Sequence, residues 1–156
     1  MQLPILTVNS MKESPMYTPV SSRATMAYRQ VGVQSVVESA SPHMLIQMLF
    51  DGLMQSLNAA RGALQRGEIE EKGHQLGKAA RILDEGLKAG LNVAQGGELA
   101  SNLGALYDYC ANRLMLANVR NDLALIEEVV RLIAPVAQSW GQIGAGSAAP
   151  AQGGGV

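Results

Sequence analysis

From about residue 24 to residue 142, apolar residues recur every three or four positions, the spacing of one face of a helix. The first such stretch, 24–38, has a weak apolar face of Val33, Val36 and Val37. Its β-branched residues make it a poor autonomous helix, so packing must hold it. The second carries the clearest start signal. Ser41 can cap the helix, and Pro42 stands at the first helical position, where its missing N–H costs nothing. From there to Gln65 a narrow polar stripe (Gln47, Asp51, Gln55, Asn58, Arg61, Gln65) runs through an otherwise apolar surface. That apolar sector is wider than one core-facing side requires. Either the helix is central in a bundle, or part of its surface is kept for a partner.

The third stretch, about Glu68–Val93, places Ile69, Leu76, Ala80, Leu83, Leu87 and Leu91 at near-heptad spacing. Gly73, Gly77, Gly86 and Gly90 lie in it and suit close approach of another backbone; Gly96-Gly97 should stop it. The fourth, about Glu98–Asn118, has an inward stripe of Leu99, Leu103, Leu106, Cys110, Leu114 and Ala117. The fifth begins at the capping pair Asn121-Asp122. It turns Ile126, Val129, Val130, Ile133, Val136, Ala137 and Trp140 inward, and Pro135 should kink it. No alternating Val/Ile-rich run reads as a strand. Short connections between long helices make neighbours antiparallel. The expected fold is all-α: an antiparallel up-and-down bundle of four long helices plus a short N-terminal helix.

The ends read differently. Residues 1–23, with Pro4, Pro15 and Pro19 among Ser and Thr, read as an extended or disordered leader. Residues 143–156 are a Gly/Ala-rich tail, leaving 24–142 as the bundle domain. No apolar run approaches the roughly 18–20 residues that cross a bilayer. The patch Leu3-Pro4-Ile5-Leu6 is too short for a signal-peptide core, so the expectation is a soluble cytoplasmic protein without membrane insertion.

Composition removes several function classes. Net charge is −1 and aromatics are 4%, which supplies neither the field nor the stacking surface for nucleic acid. The lone Cys110 excludes an intrachain disulfide and any site with two thiolates. A di-iron bundle needs two Glu-x-x-His pairs; the chain has one, Glu71 and His74, and its other histidine, His43, reads as an exposed polar residue. Cys110 lies on the inward stripe and reads as a small buried hydrophobe. Glu127-Glu128 and Asp84-Glu85 are adjacent residues that point different ways and read as solvated charges. No phosphate loop or nucleophile arrangement is present, so neither a catalytic residue nor a cofactor is expected. What remains is surface. The wide apolar sector of the second helix, the eight methionines and the glycine-bearing third helix fit a groove for an amphipathic helix; on patterning alone a bundle core fits them slightly better, because a central helix is also apolar on most sides.

The string Ala40-Ser41-Pro42-His43-Met44-Leu45-Ile46-Gln47-Met48-Leu49-Phe50-Asp51-Gly52 resembles the signature of the FliS family of flagellin-specific export chaperones. Three further segments agree in order: Lys78-Ala79 to Gly86-Leu87-Lys88-Ala89-Gly90-Leu91; Gly96-Gly97-Glu98-Leu99-Ala100-Ser101-Asn102-Leu103 with Leu106-Tyr107-Asp108-Tyr109; and Leu116-Ala117-Asn118 with Arg120-Asn121-Asp122, Glu127-Glu128-Val129 and a closing Trp140. The resemblance spans about residues 16–142. Family members commonly open with Met-Tyr-Thr and then Ala-Tyr, matched here by Met16-Tyr17-Thr18 and Ala27-Tyr28; Met16 is therefore the expected natural start. Met44 departs from the Glu or Gln frequent at its position, which weakens the helix cap.

The resemblance implies a bacterial cytoplasmic chaperone that binds the disordered C-terminal segment of flagellin in apolar grooves. It would prevent premature polymerisation and present its cargo to the flagellar type III export apparatus. It implies an N-terminal cap over the binding surface, a role falling on Tyr17, Tyr28 and Val31. Groove candidates are Met48, Phe50, Met54, Leu103, Tyr107 and Tyr109, each of them equally readable as core. Asp51 and Asn102 either bond ligand backbone or tie helices together. The alternative is a helical adaptor for another flagellar client or regulator, such as an anti-sigma factor or an export gate component.

Overall fold

The computed structural model describes residues 40–148, with side chains to 143, and every element in that span is helical. The expected 24–38 helix, the whole of the leader and the last residues of the tail lie outside the described residues. Helix α1 is Pro42–Gln65. It starts as its sequence dictates: the Ser41 side chain accepts from the Met44 N–H at 3.1 Å, and Pro42 occupies the first turn. It ends at Gly67, whose φ of 77° needs no Cβ to be relieved. Gly67 N–H donates to Leu64 O and Glu68 N–H to Ala63 O, the paired bonds of a Schellman turn.

Helix α2, Ile69–Arg81, runs on into a π-helical segment, Ile82–Lys88. Ala89 N–H reaches back five residues to Asp84 O at 3.2 Å. The wider turn changes the predicted face and brings Ile82 in beside Leu83, Gly86 and Leu87, all buried. The helix therefore stops at Lys88, short of the expected Val93. Asn92 then caps α3, Val93–Arg120, accepting from Gln95 N–H. Gly97, with φ 60° and ψ −137°, breaks α3 after one turn, so its long part starts at Glu98 as the glycine pair predicts.

At the far end of α3, Asn121 takes the left-handed conformation and Asp122 N–H returns to Ala117 O. Asp122 then opens α4, Leu123–Ala148, by accepting from Ala124 N–H at 3.0 Å. Helix α4 is continuous through Pro135 and extends past the expected boundary at 142.

Packing runs α1 on α2, α2 on α3, α3 on α4, and α4 back on α1, with the π-helical segment against both α1 and α3. This is a four-helix up-and-down bundle in which α1 and α3 are diagonal. The wide apolar sector of α1 is explained by this position. Leu45, Ile46, Leu49, Phe50, Leu53, Leu57 and Ala60 are all buried, serving neighbours on both sides. Opposite them lie Leu76, Leu83 and Leu87, then Tyr107, Cys110 and Leu114, then Ile126, Val129, Ile133 and Trp140. Each large side chain so buried contributes about 1.5–3 kcal/mol of transfer free energy before chain entropy is set against it.

Two inward positions of the sequence pattern are exposed instead: Ile69 and Leu99 stand at helix starts, beyond the reach of the core. The glycines of α2 do not serve close approach either. A Cβ on Gly77 would meet nothing within 4 Å, and one on Gly73 would meet only the Asn118 side chain, at ordinary contact distance.

Candidate partner-binding surface

Three exposed large apolar side chains, Leu99, Tyr109 and Ile143, border the seam between α3 and α4. The register is set by Glu128 of α4, whose carboxylate accepts from Tyr109 Oη at 2.5 Å and from Arg113 Nε at 3.0 Å. Antiparallel pairing from that point brings Leu106 alongside Leu132 and Leu103 toward Val136. All four are partly buried on the core. Leu99 and Ile143, 57% and 51% exposed, stand at the open end. Tyr109, 42% exposed, closes the other. The Arg113 guanidinium lies 5.4 Å from the centroid of its ring.

The Tyr109, Glu128 and Arg113 cluster is held by mutual bonding. Hydrogen bonds from Tyr109 and then Arg113 lower the Glu128 carboxyl below its ordinary range. The bond to Glu128 raises the Tyr109 phenol. Glu128 is thus a helix-to-helix tie rather than the freely solvated charge its sequence context suggests.

The predicted site residues divide. Tyr109, Leu103 and Asn102 lie on α3, with Tyr109 on the seam and Asn102 exposed. Phe50 and Tyr107 are each 1% exposed and belong to the core, leaving no surface to offer in this structure. Met48, Asp51 and Met54 are on α1, diagonal to α3, so they do not share a groove with Tyr109. Met48 and Met54 are partly buried, and their spacing of six residues sets them on opposite flanks of α1. Asp51 is exposed and accepts from Gln47 Nε2 within its own helix at 3.2 Å. Tyr17, Tyr28 and Val31 lie outside the described residues.

Sequence reasoning missed three structural residues. His43, read as exposed, is half-buried and stacks on Trp140. Lys72 is buried, its ammonium donating to the Asn118 carbonyl and side chain. A lysine four residues into a helix carries no sequence mark of burial. Ser56 is likewise buried on α1.

Chemically reactive groups are few. Burial pushes the Cys110 thiol up to about 11, which suits packing and not nucleophilic attack. Among the described residues no group of three or more His, Cys, Asp or Glu is placed to hold a metal ion. Glu71 and His74 instead line an open hollow at the start of α2. No helix in the described span is long and apolar enough to cross a membrane.

The described residues offer packing and exposed apolar side chains rather than a reactive site, and comparison with known proteins gives the family. The model of the family described as "Flagellar protein FliS" matches residues 24–147. The chain belongs to the FliS family. It is 54% identical over 117 residues to the flagellar secretion chaperone FliS of Salmonella typhimurium, covering 75% of this chain and 87% of that protein. It is 44% identical over 118 residues to the flagellar secretion chaperone FliSB of Pseudomonas aeruginosa (76% and 93%), and 34% identical over 109 residues to FliS of Bacillus subtilis (70% and 80%). The FliS match takes in all four described helices up to the last residue but one of α4. The helix from Pro42 and the α3–α4 seam are therefore both parts of the family's shared body, and these relatives are named flagellar secretion chaperones.

Proposed function

We propose that this chain is a cytoplasmic export chaperone that binds the C-terminal segment of flagellin. It covers the apolar faces that would otherwise polymerise inside the cell, and hands the segment to the flagellar type III export apparatus. Membership of the FliS family, at 54% identity to a flagellar secretion chaperone, carries this reading. The α3–α4 seam supports it physically. Leu99, Leu106, Leu132, Val136 and Ile143 offer a strip on which an amphipathic segment can order as a helix. Ordering the segment costs part of the interaction energy, so a long strip is needed for useful affinity. Residues Tyr17, Tyr28 and Val31 are proposed to cap the surface and move when cargo arrives.

The test is calorimetric titration of the full chain with the C-terminal segment of the same organism's flagellin, with circular dichroism on the same samples. One-to-one binding with a gain in helix is expected. A folded bundle that does not bind would transfer the reading to another flagellar client, such as an anti-sigma factor or an export gate component.

A further inference from the structure

Helix α4 is weakest in its own backbone just before its last large contact. Pro135 has no N–H, so the Arg131 carbonyl lacks the helix bond it would otherwise accept. Pro135 is itself exposed. Past it, among residues 136–143, Trp140 alone is buried; Val136 and Ala137 are partly so, and the others are half-buried or exposed. Trp140 is clasped to α1 by stacking on His43 and by a hydrogen bond in each direction between the two residues. A stretch of helix joined to the bundle across a missing bond, with one buried side chain to hold it, has the makings of a unit that opens locally.

The closed position carries a cost beside the clasp. Gln47, one turn along α1 from His43, donates from Nε2 to Asp51 at 3.2 Å, while its Oε1 is shut from water and has no hydrogen-bond partner. The orientation is set by Asp51, because turning the amide over would put an oxygen against the carboxylate. That unpaired oxygen lies against α4: a Cβ on Gly141 would stand 3.2 Å from it. Moving the end of α4 away lets water bond to Oε1, so release recovers part of what the clasp gives up.

We propose that the end of α4 past Pro135 is a clasped flap, which swings off α1 at Pro135 while the rest of the bundle stays folded. The His43 and Trp140 clasp holds it shut, and the buried Gln47 oxygen biases it open. Ile143 rides on the flap, so the swing moves one wall at the open end of the α3–α4 seam.

The chain carries its own probes, one tryptophan on the flap and one cysteine, Cys110, fully buried on α3. The test is a urea titration of the full chain, read by Trp140 fluorescence and by pulsed thiol labelling of Cys110. Trp140 is expected to be released at a midpoint at least about 0.5 M below that of Cys110, since probes of one all-or-none transition would coincide. Pro135→Ala restores the missing N–H at an exposed position, and Gln47→Met keeps the side-chain stem without the unpaired oxygen. Each is expected to bring the Trp140 midpoint toward that of Cys110. Coincident midpoints in the native chain, or a gap that either variant leaves untouched, would overturn the proposal. Neither probe reads cargo, so a chain that fails to bind flagellin leaves this result as it stands.

Discussion

His43 and Trp140, 97 residues apart, grip each other three ways. Their rings stack with centroids 4.4 Å apart and planes 10° from parallel. Trp140 Nε1–H donates to the His43 carbonyl at 3.1 Å, and His43 Nε2–H donates to the Trp140 carbonyl at 3.1 Å. The second bond requires the histidine proton to be on Nε2. The pair ties the first turn of α1 to the late part of α4 and closes the ring of helices. Trp140→Phe keeps an aromatic face but removes the indole hydrogen bond to the His43 carbonyl, and should cost about 0.5–1.5 kcal/mol. Trp140→Ala also removes a buried ring and should cost about 3–5 kcal/mol. Urea unfolding of the two variants checks the order; equal losses would show that stacking adds nothing to the hydrogen bonds.

Lys72 sets a second tie, between α2 and the last turn of α3. Its ammonium meets the Asn118 carbonyl where the C-terminal end of the α3 dipole favours a positive charge. Lys72→Met preserves the buried stem and removes the charge and both bonds. A loss of about 1–3 kcal/mol is expected in chemical denaturation. A more stable variant would mean that desolvating the ammonium outweighs its bonds.

The bundle was legible because its boundaries are written in residues with a local mechanism. Ser41 and Pro42 open α1, Gly97 breaks α3, and Asn121 and Asp122 close one helix and open the next. The stripe on α4 reads directly from its spacing, and Ile126, Val129, Ile133 and Trp140 are buried as it implies. The surface was harder to read. Phe50 and Tyr109 have the same aromatic character in sequence, yet one is core and the other a surface residue bonded to Glu128. That difference depends on which helices are diagonal, and helical spacing is blind to it. The π-helical turn at Ile82–Lys88 and the burial of Lys72 are likewise settled by partners distant in the chain.

Glu128 gives a pH signature. Its carboxyl is lowered by Tyr109 and Arg113, so the folded state binds fewer protons there than the unfolded chain. The stabilisation is present above the unfolded carboxyl value, about 4.3, and is lost as pH falls through the lower folded value. Melting temperatures of the native chain and of Glu128→Gln should therefore differ most near neutral pH and converge in acid. A constant gap would show that Gln fails for steric reasons and not through charge.

Core and seam can be separated by paired substitutions. Phe50→Ala and Tyr107→Ala each empty a position that is 1% exposed and should cost about 3–5 kcal/mol of stability. Leu99→Ser and Ile143→Ser change side chains already half in water, and should move stability by no more than about 0.5 kcal/mol each. If the seam receives the flagellin segment, the Leu99 and Ile143 pair together should weaken its binding about tenfold or more in calorimetric titration, while the melting curve stays in place. The contrast rests on exposure alone: a side chain can give apolar area to a partner only if the bundle has not already taken it. Unchanged binding by the Leu99 and Ile143 double variant would move the segment to another face, with Met48 and Met54 on the two flanks of α1 the next positions to substitute.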